Sequence, residues 1–111
     1  MPRYYITLPD PAKARGSDPT LAFSAHGADG FAQELQSALT GASLFQRWKA
    51  RQEDPDDVGE AMAATDPSAT VSGKQSDLKI DLVVDTTLPG EVLRQRLRLL
   101  AGSGWQLRDV T

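Results

Sequence analysis

The chain has 111 residues, 40% of them hydrophobic and 24% charged, with a formal net charge of −3 and no cysteine. That is the composition of one ordinary globular domain, since domains commonly run to about 100–200 residues and disorder goes with lower hydrophobicity or higher net charge. The missing cysteines exclude disulfides, thiolate zinc sites, iron–sulfur clusters and a cysteine nucleophile. The acidic balance argues against nucleic acid and anionic membrane surfaces as partners, because both select clustered Lys and Arg.

Residues 3–8 alternate aromatic and aliphatic side chains and read as a strand. The run is halted by Pro9 and Asp10. It is too short for the apolar core of a signal peptide, ~7–15 residues, or for a membrane helix of about 20. A cytoplasmic location is therefore the default expectation. Pro9, Pro11, Gly16 and Pro19 then punctuate a loop, and residues 20–24 read as a short strand pairing back on the first.

Residues 31–42 form the cleanest helix. At about 100° per residue, Phe31, Leu35, Ala38, Leu39 and Ala42 share one arc, with Gln33, Gln36, Ser37 and Thr40 opposite. Asp29 is the expected N-cap. Leu44, Phe45 and Trp48 would point away from that stripe if the helix ran on. Gly41 sits at the join, and Ser43 followed by Gln46 has the form of a capping box. A break and a new short helix over residues 44–52 are predicted. The competing reading is a strand with Leu44, Gln46 and Trp48 on one face.

Residues 53–68 are acidic and rich in Ala, Gly and Pro. They read as a loop holding one turn of helix after Pro55, and the sequence leaves open whether that loop is flexible. Residues 69–73 read as a strand, with a turn over 73–76. In residues 78–85, Leu78, Ile80, Leu82 and Val84 point one way and Lys79, Asp81 and Asp85 the other, the period of two of a sheet with one solvated face. Pro89 opens a second main helix that runs to Ala101, and Gly102 stops it. Residues 105–110 close the chain as a strand, with Trp105 and Leu107 on one face.

The order is strand, helix, short helix, strand, strand, helix, strand. Two crossover units around an antiparallel hairpin give an α+β fold of the ferredoxin-like, split βαβ type. Two main helices would pack on one sheet face, with an extra short helix beside them. The other face would be open to water or to a partner.

Enzyme motifs are mostly missing: there is no phosphate-binding loop, nucleophile elbow or dinucleotide fingerprint. His26 is the only histidine, so a multi-histidine metal site within one chain is impossible. It reads either as a surface residue or as a general base at a loop-to-helix corner. Asp54, Asp56, Asp57 and Glu60 offer oxygen ligands to a hard cation, but without the spacing of a calcium loop. No metal and no cofactor are expected. Arg96 projects into the apolar arc of its helix, between Val92 and Leu100. Its stem would pack while its guanidinium snorkels to the edge, or its cation would face a partner or a bound carboxylate. Arg108, on the last strand, could join it. Trp48, between Arg47 and Lys49, is the interface candidate of the two tryptophans, and Trp105 is assigned to the core. Tyr4 and Tyr5 must face opposite sides of the first strand.

These features point to a non-catalytic protein-interaction or regulatory module. Trp48, Arg96, Arg108 and His26 are its candidate binding residues. The partner would be another protein or a second copy of the chain, as a homodimer. The alternative is a cofactor-free enzyme or small-ligand binder of the dimeric α+β barrel type, using His26, Arg96 and a sheet-facing tyrosine. RNA binding on the open face is the least favoured reading, because residues 78–85 supply aspartates and no aromatics.

Overall fold

The computed structural model describes the backbone of residues 1–111 and the side chains of all but residues 60 and 61. In chain order the elements are β1 (Arg3–Leu8), α1 (Ala28–Thr40), α2 (Ser43–Lys49), β2 (Thr70–Ser76), β3 (Lys79–Asp85), α3 (Gly90–Ala101) and β4 (Gln106–Val110). Short 3-10 turns occupy Pro11–Lys13, Pro55–Asp57 and Glu60–Ala63. The strands form one sheet in the order β2-β3-β1-β4, and every neighbouring pair is antiparallel. The class is α+β, with a four-stranded antiparallel sheet and three α-helices. None of those helices is long and apolar enough to cross a membrane.

The period of two in the strands decides where the core lies. Tyr4, Ile6 and Leu8 of β1 and Ile80, Leu82 and Val84 of β3 are buried on one face. Phe31, Leu35 and Leu39 of α1 and Leu93, Leu97 and Leu100 of α3 pack against them in one cluster. Full burial of such a side chain contributes about 1.5–3 kcal/mol, set against the entropy of ordering it.

Several element boundaries differ from expectation for local reasons. α1 starts at Ala28 with Gly27 as N-cap, so Asp29 lies inside the first turn, where its charge suits the helix dipole. The break falls at Gly41, as the change of stripe demands, but the capping box does not form. Ala42 is the N-cap of α2, Ser43 is its first residue, and no side-chain capping bond is made. The break lets Leu44 and Phe45 both be buried. α2 stops at Lys49 instead of residue 52.

Residues 20–24 are not a strand. Leu21 and Phe23 are buried as two anchors of a loop, and Phe23 sets its ring against Phe31 at 4.8 Å, edge-on. The backbone partner of this loop is the end of α3, not β1. The N–H groups of Gly16 and Phe23 both donate to the Leu100 carbonyl, at 3.0 and 2.8 Å. Two buried residues spaced by two mimic a strand in sequence, but here the end of a helix satisfies the backbone. Gly16 is required by this docking, because a Cβ there would collide with the Leu99 carbonyl. Gly16→Ala is expected to lose about 1–3 kcal/mol, as overpacked sites do, with urea denaturation as the measurement.

β2 continues through Gly73 to Ser76, so the expected turn at 73–76 is part of a strand. Gly73 is needed mid-strand because the Ala28 carbonyl of α1 sits where a Cβ would go. The hairpin turns at Asp77 and Leu78, between paired Ser76 and Lys79, with Asp77 at φ 55°. Leu78 therefore leaves the β3 core face and is 86% exposed. Gly102 ends α3 with φ 61°, the positive-φ stop that its place in the sequence predicts.

Candidate functional site

The sheet face away from the core is built from charge and hydroxyl groups. The register places Thr70, Ser72, Lys74 and Ser76 of β2 beside Asp85, Val83, Asp81 and Lys79 of β3. Arg3, Tyr5 and Thr7 of β1 continue the face across Asp85, Val83 and Asp81. β4 joins with a register shift opposite Tyr5 and Ile6, which leaves Arg108 as the extra residue. Such a bulge re-aims a side chain. Arg108 Nε donates to Thr7 Oγ1 at 3.4 Å, and Thr7 Oγ1 donates to Asp81 Oδ1 at 2.7 Å. This chain covers Thr7, which is only 4% exposed although it lies on the solvated side.

The carboxylates and the cations of this face are in different states. Arg3 Nε donates to Asp85 Oδ1 at 2.8 Å, and that hydrogen bond holds the Arg3 guanidinium above its ordinary pKa. Asp81 is engaged by Thr7, and Asp109 accepts the Val110 N–H at 2.8 Å. Lys74 and Lys79 have no ion-pair or hydrogen-bond partner among the described residues, and Arg108 keeps its two terminal nitrogens free. An acidic chain thus presents a face on which Lys74, Lys79 and Arg108 carry unfilled charged donors, beside Asp81 and Asp109, which keep their charge while accepting from neutral groups.

Arg96 lies on the other side of the sheet, away from Arg108. It does not snorkel: it is fully buried. Its Nε donates to Ala38 O at 3.2 Å, Nη1 to Met62 O at 2.8 Å and Gln95 Oε1 at 2.7 Å, and Nη2 to Ala64 O at 3.1 Å. The guanidinium also lies 5.3 Å from the centre of the Phe45 ring. Burial lowers its pKa below the ordinary guanidinium value. An arginine at a helix position that faces the core here joins α1, α2, α3 and the segment before β2, with its donors engaged by carbonyls of this chain.

A second buried polar node was not legible in the sequence. Asp66 is 5% exposed. It accepts from the Ser68 hydroxyl at 2.6 Å, the Ser68 N–H at 3.0 Å, and the Thr86 hydroxyl and Thr87 N–H at 2.9 Å. The hydroxyl of Ser68 is the largest cause that holds its carboxyl well below the usual range, followed by the Thr87 amide. The only sequence signal was an Asp-Pro-Ser turn, which gives no hint of the threonines twenty residues on.

His26 is exposed on the loop before Gly27, with no hydrogen-bond partner among the described residues. Trp48 is half-buried and packs on the core beside Phe45, ring centres 5.6 Å apart. The four candidate residues do not converge: Arg96 is inside, Arg108 is on the sheet face, and Trp48 and His26 lie at separate places on the helical side. Among the described residues no group of three or more His, Asp or Glu converges as metal ligands do. Comparison with known proteins finds no family model, curated protein or solved structure that matches the chain.

Proposed function

We propose that the protein is a non-catalytic interaction module, a single cytoplasmic domain of ferredoxin-like fold, whose open sheet face docks an acidic segment of a partner protein. The strand order β2-β3-β1-β4, with helices between β1 and β2 and between β3 and β4, supports the fold reading. The observation that carries the function is the contrast of charges on the face. Asp85 is paired with Arg3, and Asp81 and Asp109 accept from Thr7 and the Val110 amide without losing their charge, so four cations face three carboxylates and Lys74, Lys79 and Arg108 hold the unfilled donors. Complementary charge of this kind steers association and selects among partners.

The dimeric barrel alternative is disfavoured on energetic grounds. It would press two such faces together and withdraw lysines and aspartates from water, which costs several kcal/mol per ion unless each is paired. Edge-to-edge pairing along β4 is also opposed. That strand carries a bulge and two charges, and Asp109 occupies the Val110 N–H.

Titration of 15N-labelled protein with a peptide of mixed Asp and Glu is the test. Amides of β2, β3 and β4 are expected to shift and saturate, with weaker binding at higher salt. The double variant K74E/K79E is expected to bind about twofold to thirtyfold more weakly, since two exposed pairs each contribute about 0.2–1 kcal/mol. Equal binding by that variant, shifts confined to the helices, or preferential binding of a single-stranded oligonucleotide would refute the reading.

A further inference from the structure

A cleft of about 450 Å³ lies on the helical side, between α1, α2 and the loop of residues 19–24. That volume falls within the roughly 300–1,000 Å³ of small-molecule sites. Its loop wall is fastened to α1, to α2 and to the turn after α2 by three polar ties. Glu34 accepts the Ser24 N–H and hydroxyl, at 3.0 and 2.8 Å, and the Ala25 N–H at 2.9 Å. Arg47 Nη1 donates to Thr20 O at 2.7 Å. Arg51 pairs with Asp18 at 2.9 Å. Hydrogen bonds from Thr20 hold the Asp18 carboxyl below its ordinary pKa. A wall tied in this way is set before any ligand arrives, which lowers the ordering cost of binding.

Glu34 and Arg47 both line the cleft; Glu34 keeps its charge but has both oxygens turned to loop donors, so the unfilled charged hydrogen-bonding group is Arg47. Arg47 is oriented by Thr20 O and, more weakly, by Ser43 O at 3.4 Å, and its Nη2 remains available. The Ser37 and Ser43 hydroxyls lie on exposed residues along the rim, and Leu21, Ala38 and Leu44 form an apolar floor. We infer that this cleft binds a small amphipathic carboxylate, with its head on Arg47 and Ser43 and its body over Leu21, Ala38 and Leu44. A guanidinium held in one orientation suits the planar head group. The inference is independent of the role proposed for the sheet face.

Hexanoate, hexylammonium and 1-hexanol, titrated separately into 15N-labelled protein, are the probes. Hexanoate is expected to move amides of residues 20–24, 33–38 and 43–47 to a saturating end point. Hexylammonium is expected to leave them in place, and 1-hexanol to bind about tenfold or more weakly, the factor that corresponds to about 1.4 kcal/mol. Ser37→Trp fills the cleft from an exposed position and should abolish the hexanoate response while leaving the melting temperature unchanged. Equal shifts with hexylammonium, a response that survives Ser37→Trp, or no saturable response to hexanoate would overturn the assignment.

Discussion

Arg96→Met is expected to lose about 3–5 kcal/mol of stability, because it leaves two buried acceptors unsatisfied at about 1–3 kcal/mol each and two half-buried ones without their donor. The acceptors are Ala38 O, Met62 O, Ala64 O and Gln95 Oε1, contributed by three parts of the chain. Methionine fills much of the volume, so the loss reports the hydrogen bonds more than a cavity. A domain of this size has only about 5–15 kcal/mol in total, so the variant stands near its folding limit. Arg96→Lys should fall between the two, since one ammonium cannot reach three carbonyls in the fan that a guanidinium spans. Urea denaturation followed by tryptophan fluorescence measures both. A loss under about 1 kcal/mol for Arg96→Met would mean that these carbonyls find other donors and that Arg96 is not the joint between the helices.

Acid should act through Asp66 before any other single group. Its folded-state pKa lies below the ordinary carboxylate value, so its stabilisation is fully present above about pH 4. That stabilisation is lost as the pH falls through the folded value, because the protonated carboxyl cannot accept from Ser68, Thr86 and Thr87 together. Asp66→Asn replaces one acceptor oxygen by a donor that must face those same groups. The variant is expected to be less stable at neutral pH and to lose less stability than the parent between about pH 4 and pH 2. Thermal unfolding across that range is the measurement. Parallel profiles for parent and variant would place the acid sensitivity elsewhere.

The parts of the fold that were legible in the sequence are those where periodicity alone sets the geometry. β1, β3, α1 and α3 bury the stripes that their spacing marks, except that Leu78 falls in the hairpin turn and Ala42 beyond the end of α1, and Gly102 ends α3 as its position implies. The misread parts depend on contacts distant in sequence. β2 alternates weakly, because its pattern includes Gly73, placed there for the Ala28 carbonyl and not for a turn. Residues 20–24 looked like a strand because Leu21 and Phe23 are two residues apart, yet their backbone partner is Leu100. Ser43 and Gln46 have the spacing of a capping box without making its bond. Arg96 was correctly placed in the apolar arc, but no local pattern shows that three carbonyls wait for it inside. The free cations of the sheet face were equally illegible, since they depend on which carboxylate each strand neighbour engages.

On the proposed reading the charged sheet face is free in solution to receive a different protein. Light scattering of the purified protein over a wide concentration range tests it directly. A constant mass near that of one 12.0 kDa chain is expected. A stable dimer whose strand amides on β1 and β3 gain protection from hydrogen exchange, and which dissociates on K74E/K79E substitution, would contradict it and restore the dimeric reading.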